Sequence, residues 1–152
     1  MSVRVTERLV RATARTWDRA YVPLLVVVGG VAGTLCRYGI GEAFPAVNGW
    51  PLATLLVNVT GAFALGLLVE RLAAAGPGSV RLRDLRLFAG TGFLGSYTTY
   101  SSFAAEAERL LAQDAYASGI GYVVASLLLG LAACLCGIAI GARPWRRTRR
   151  AR

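Results

Sequence analysis

The chain contains no histidine and no lysine; all 17 of its basic residues are arginine. Its three cysteines, Cys36, Cys134 and Cys136, are odd in number and form no Cys-x-x-Cys pair. Without histidine or that spacing, nothing in the chain builds a zinc or redox centre. The cysteines lie in apolar stretches and read as small packing residues. No long apolar run holds a carboxylate near its centre. Proton-coupled transport needs an ionisable group at membrane depth. A small four-helix proton-coupled multidrug exporter would carry one in its first membrane helix, and residues 21–41 have none. Paired acids, a nucleophile beside a base and a phosphate-binding loop are missing too, so the chain does not read as an enzyme.

Apolar residues are what it has in excess. Of 152 residues, 55% are hydrophobic, and the mean hydropathy is +0.52. Residues 21–35, 52–69, 87–105 and 119–142 carry no charge. About 20 apolar residues cross a bilayer as a helix, and the first run reaches that length by continuing through Arg37 and Tyr38. The pattern predicts an all-α membrane protein with four transmembrane helices and short loops. The first helix covers 21–41, and a loop with Pro45, Asn48, Gly49 and Pro51 follows. The second helix ends near 75, before the turn GPGSVRLRD. A third segment runs from 85 to 112, a link spans 114–118, and the fourth helix ends near 142. Basic residues before an apolar run also mark signal peptides, but no small-residue cleavage site follows here, so the segment is expected to stay. Residues 1–20 then form a basic N-terminal tail, 21–142 the transmembrane domain and 143–152 an Arg-rich C-terminal tail.

The charges fall unevenly about this framework. The N-terminal tail carries +3, the loop between Glu70 and Arg86 +2, and the C-terminal tail +6. With four crossings these share one side, at +11. The other side holds Glu42, Glu106, Glu108, Arg109 and Asp114, a net −3. Arginine bias of this kind places both termini in the cytoplasm of a multi-pass protein of the cell membrane. A pI near 10.5 therefore reflects topology and contact with membrane lipid, with no nucleic-acid partner.

Within the apolar runs, polar groups cluster at few places. Seven consecutive residues of the third segment, Ser96 to Ser102, carry hydroxyls, and Gly90, Gly92 and Gly95 precede them. Two conformations accommodate this. In an unbroken helix the hydroxyls bond back to the i−4 carbonyls. In a helix broken at its glycines, freed backbone groups face protein or a polar path, where carbonyls hold cations and N–H groups hold anions. Asn58 lies near the middle of the second helix, either as interhelical glue or as a donor to a solute. Tyr122, Ser126 and Gly130 share a stripe of the fourth helix, and Gly29, Gly33 and Arg37 share one of the first. Both stripes suit close packing. Arg37 also suits snorkelling to the interface or a positive vestibule.

Three stretches together resemble the Fluc (CrcB) fluoride-channel family: GGVAGTLCRY (29–38), LATLLVNVTGAFALG (52–66) and GTGFLGSYTTYSSF (90–103). The resemblance spans residues 21–142. It implies a four-helix subunit with a break in helix 3, paired as an antiparallel dual-topology dimer with two fluoride pores and a central structural Na+. It implies passive export that lowers cytoplasmic fluoride. The pore residues implied are Asn58, Thr99, Tyr100, Phe103, Glu106, Tyr122 and Ser126. Backbone carbonyls of Gly95 and Thr98 would hold the sodium, and Arg37 would line a vestibule. A small, strongly hydrated anion needs its water replaced by amide, hydroxyl and aromatic-edge donors, which this set supplies.

Two positions depart from the family pattern. Tyr100 stands where phenylalanine is usual, and Gly130 where a hydroxyl is typical. The arginine bias is a third departure, because a dual-topology chain inserts both ways. A chain that inserts one way needs an oppositely oriented paralogue, and a heterodimer is expected. A non-conducting or modulatory paralogue is the alternative that Tyr100 and Gly130 leave open.

Overall fold

The computed structural model describes residues 3–47, 49–75 and 79–143, and its described residues form helices and turns with no strand. Helix α1 is Val3–Ala43, α2 is Leu52–Ala74 and α3 is Val80–Leu85. A π-helical stretch, Arg86–Leu94, continues α3 into the short α4, Gly95–Tyr97. After an interruption come α5, Tyr100–Ala112, and α6, Tyr116–Gly141. Three stretches are long and apolar enough to cross a membrane: Tyr21–Ala43, Leu52–Ala74 and Tyr116–Gly141. The third segment expected from the sequence is divided into shorter helical pieces.

Helix α1 packs on the π-helical stretch, and α2 packs on α6. At one end, the Tyr21 hydroxyl donates to Asp84 Oδ2 (3.0 Å), and Arg71 reaches the Ile140 carbonyl (3.4 Å). At the other, Phe44, Pro45 and Thr54 share a cavity of about 420 Å³ with Glu106, Arg109 and Gln113. The start of the Tyr21–Ala43 span, α3, the end of α2 and the end of α6 are thus gathered at one end. Most of the C-terminal tail, residues 144–152, lies outside the described residues, as do Asn48 of the first loop and residues 76–78 of the second. Two boundaries move relative to the sequence reading. Helix α1 continues upstream of residue 21 to Val3, and the helical turn of α3 occupies much of the segment read as a loop.

Leu24, Val27, Val28, Val31 and Leu35 on α1, and Leu127, Leu128, Leu131 and Leu135 on α6, are exposed. In a bilayer such surface costs nothing, and helix association depends on close packing instead. Glycine provides it. A Cβ at Gly33 would collide with the Phe93 carbonyl, and one at Gly29 with the Phe88 carbonyl. The stripe of Gly29 and Gly33 therefore seats α1 on the π-helical stretch. Gly33→Val is expected to destabilise the subunit by about 1–3 kcal/mol, as overpacking does, read as a lower thermal midpoint in detergent. Cys134 is half-buried, while Cys36 and Cys136 are exposed. The packing role expected of the cysteines holds for Cys134 alone within this chain.

Candidate functional site

The interruption of the third segment falls at Thr98 and Thr99, whose backbones are extended (φ −79°, ψ 158° and φ −146°, ψ 121°). The glycines expected to permit it do not lie at it. Gly90 and Gly92 belong to the π-helical stretch, and Gly95 has ordinary helical angles (φ −63°, ψ −28°). What holds the break open is capping by polar side chains. Thr99 caps α5, its Oγ1 accepting from the Ser102 N–H at 3.1 Å. Asn58 of α2 clamps the same residue twice. Its Oδ1 accepts from the Thr99 N–H (2.8 Å), and its Nδ2 donates to the Thr99 carbonyl (3.0 Å).

These substitutions free two carbonyls. In a continuous helix the Thr99 N–H would serve Gly95 and the Ser102 N–H would serve Thr98. Both donors are engaged elsewhere, so the carbonyls of Gly95 and Thr98 lose their helical partners. Both conformations weighed for the hydroxyl run in fact occur within it. Thr98 Oγ1 bonds back to the Leu94 carbonyl (2.9 Å), as in a continuous helix, while Thr99 caps the break. Tyr97, stacked on Phe93 with ring centroids 5.7 Å apart, shares a hydrogen bond with Thr60 (2.8 Å). A Cβ at Gly61 would meet the Thr98 methyl, so that glycine admits the break against α2.

Two cavities meet at Thr99. One, about 320 Å³, is lined by Asn58, Thr98, Thr99, Tyr100, Phe103, Ser126 and Leu127. The other, about 280 Å³, includes Arg37, Thr34, Thr54, Thr99 and Ser102 in its wall. Tyr100 is 81% exposed at the mouth of the first and meets Phe103 at a ring-centroid distance of 6.1 Å. Phe103 in turn contacts Tyr122 at 5.4 Å. Asn58 commits one amide hydrogen to Thr99 and keeps a second. Ser126 Oγ is buried with no hydrogen-bond partner among the described residues.

Tyr122 is fully buried and lines neither cavity. Its hydroxyl donates to Glu106 Oε2 (2.9 Å), while Thr54 Oγ1 donates to Glu106 Oε1 (2.8 Å). Glu106 is thus held between α2 and α6 behind the aromatic residues. Of the residues singled out from the sequence, Asn58, Thr98, Thr99, Tyr100, Phe103 and Ser126 come together at one cavity. Arg37 faces the neighbouring one, and Glu106 and Tyr122 form a separate cluster. Sequence reasoning missed Thr54. Its signal was available: it lies four residues before Asn58, one turn along the same face of α2.

The family description "CrcB-like protein, Camphor Resistance (CrcB)" matches residues 24–138. The chain belongs to the CrcB family. Its CrcB portion contains every residue lining the two cavities around the break. The chain is 49% identical over 119 residues to Fluoride-specific ion channel FluC 2 of Leifsonia xyli subsp. xyli, covering 78% of this chain and 82% of that one. Over 119 residues it is 40% identical to Fluoride-specific ion channel FluC of Agrobacterium fabrum, covering 77% and 93% respectively. Fluoride-specific ion channel FluC 3 of Streptomyces avermitilis is 44% identical over 117 residues, 76% of this chain and 56% of its own length. The CrcB match leaves out the first 23 residues, including the helical extension that begins at Val3.

Proposed function

We propose that this chain is a subunit of a passive fluoride channel of the cell membrane that lets cytoplasmic fluoride leak outward. The observation that carries the reading is the Asn58-clamped break beside the cavity of Asn58, Tyr100, Phe103 and Ser126. That cavity offers a spare amide hydrogen, hydroxyls and aromatic edges, the donors a small anion needs on losing water. The N-terminus of α5 adds the positive end of a helix dipole at the same place. A passive leak needs no coupling site. The names of the curated relatives support the choice of anion.

The finer assembly is part of the proposal. The third segment counts as the fourth crossing, with both termini cytoplasmic. The subunit pairs antiparallel with an oppositely oriented paralogue, because an arginine bias of +11 against −3 allows one insertion. The carbonyls of Gly95 and Thr98, released by the break, are hard oxygen donors suited to a structural Na+ at the dimer centre. The ion would supply positive charge that ties the two breaks together, while the protein holds the carbonyls in place. Tyr100 and Gly130 do not block this assignment. Tyr100 presents a phenol at the cavity mouth, where it adds a donor. A Cβ at Gly130 would meet nothing within 4 Å, so that site has room for a side chain. Gly130→Ser is expected to leave the thermal midpoint unchanged and to keep or raise fluoride flux.

The test is rescue of fluoride-sensitive cells by this chain together with its paralogue. Growth at a fluoride concentration that kills the parent strain is expected for the pair, and not when Phe103→Ile replaces the chain. Equal rescue by Phe103→Ile would remove the aromatic contacts from the pathway.

A further inference from the structure

The backbone of α1 is helical from Val3 through the membrane span that begins at Tyr21. The extension is about 27 Å long at the helical rise. Its five arginines, Arg4, Arg8, Arg11, Arg15 and Arg19, are spaced four, three, four and four residues apart. At 3.6 residues per turn they fall within an arc of about 80°. Val3, Val10 and Trp17, at intervals of seven, fall on the far side together with Leu9, and Thr6, Thr13 and Ala20 lie among them. Glu7 and Asp18 both lie beyond one edge of the arginine arc. This is the division of a basic amphipathic helix.

Pro23 lies inside α1, just within the span. It has no N–H for the Arg19 carbonyl, and its ring crowds that carbonyl. The helix is therefore weakest where the extension joins the span, and a bend there has a physical cause. A bend would turn the extension from the bundle axis toward the plane of the membrane in which α1 is anchored. The extension also joins the span at the end of the bundle where Tyr21 meets Asp84 of α3.

We propose that the segment from Val3 to Ala20 is a surface-binding helix whose arginine stripe engages the phosphates of anionic phospholipids. Helices with this sequence pattern lie in the membrane interface with their basic stripe at the headgroups. Neighbouring span and extension are one chain, so the lipid surface is always within reach. That favours headgroups over a soluble polyanion. The segment lies outside the region shared with the CrcB family, so the property would belong to this chain and not to the channel fold. It does not depend on which ion the protein conducts.

Trypsin cleavage of the full-length protein in lipid nanodiscs tests this directly, because trypsin cuts after each arginine. In discs containing about 30% phosphatidylglycerol, cleavage between Arg4 and Arg19 is expected to be about tenfold slower than in pure phosphatidylcholine, with the difference lost in high salt. The double variant R8Q/R11Q is expected to lose most of the protection at Arg15 and Arg19 while keeping the helix. Equal cleavage in the two kinds of disc, whether fast or slow, would overturn the anionic-lipid assignment. Equal protection in phosphatidylcholine discs by inorganic phosphate or by a polynucleotide would overturn the lipid as ligand. No ion flux is read, so failure here leaves the channel proposal standing.

Discussion

Asn58→Ala is expected to lower fluoride flux through reconstituted channels by at least about 100-fold, a loss of roughly 2.7 kcal/mol at the barrier. The side chain has two roles that the substitution removes together. It satisfies the N–H and carbonyl of Thr99, and it keeps a second amide hydrogen in a side chain that lines the cavity. Leaving two backbone groups unpaired at membrane depth costs about 1–3 kcal/mol each, so the break should also collapse or shift. Asn58→Asp separates the roles in part. A carboxylate can still accept from the Thr99 N–H, but it offers the carbonyl nothing and places negative charge on an anion path. Its flux is expected to fall as far as that of the alanine variant, with a smaller drop in thermal midpoint. A fluoride electrode and a melting curve on the same samples check both. Wild-type flux from a well-folded Asn58→Asp would remove Asn58 from the pathway.

The second large effect concerns topology. A tag at the N-terminus is expected to be accessible from the cytoplasmic face alone, in essentially every molecule. Replacing the arginines at 143–152 and those between Arg81 and Arg86 by glutamine cuts the bias and should produce molecules of both orientations. Single-sided labelling in the wild type and double-sided labelling in the neutralised variant is the expected pair of results. The same variant should form antiparallel homodimers that the wild-type chain does not. Double-sided labelling of the wild type would contradict the requirement for a paralogue, since antiparallel pairs could then form from one chain.

The parts of the fold carried by hydropathy were readable without coordinates. Three uninterrupted spans appear close to where uncharged runs placed them, because lipid demands a continuous apolar helix. The extension of α1 to Val3 was harder to see, since arginine-rich segments are read first by charge and only then by period. The break was anticipated in the right segment for the wrong reason. Glycine permits unusual angles, yet Thr98 and Thr99 adopt angles open to any residue, and Asn58 and the Thr99 hydroxyl supply the missing partners. Local composition could not disclose that, because Asn58 is 41 residues away in sequence. The same limit applies to Glu106. Its distance from Thr54 along the chain hid a three-residue cluster that packing makes obvious. Asn58, left open between glue and donor, makes the interhelical bonds of the first reading to Thr99 and also lines the cavity.

The central claim is that this subunit helps to conduct fluoride in preference to other anions. Efflux from proteoliposomes loaded with fluoride or with chloride, carrying this chain alone or with a candidate oppositely oriented partner, measures it. Rapid fluoride release, chloride release indistinguishable from protein-free liposomes, and loss of the fluoride signal with Asn58→Asp are expected. Equal fluoride and chloride flux, or no fluoride flux from a folded, correctly paired dimer, would contradict it.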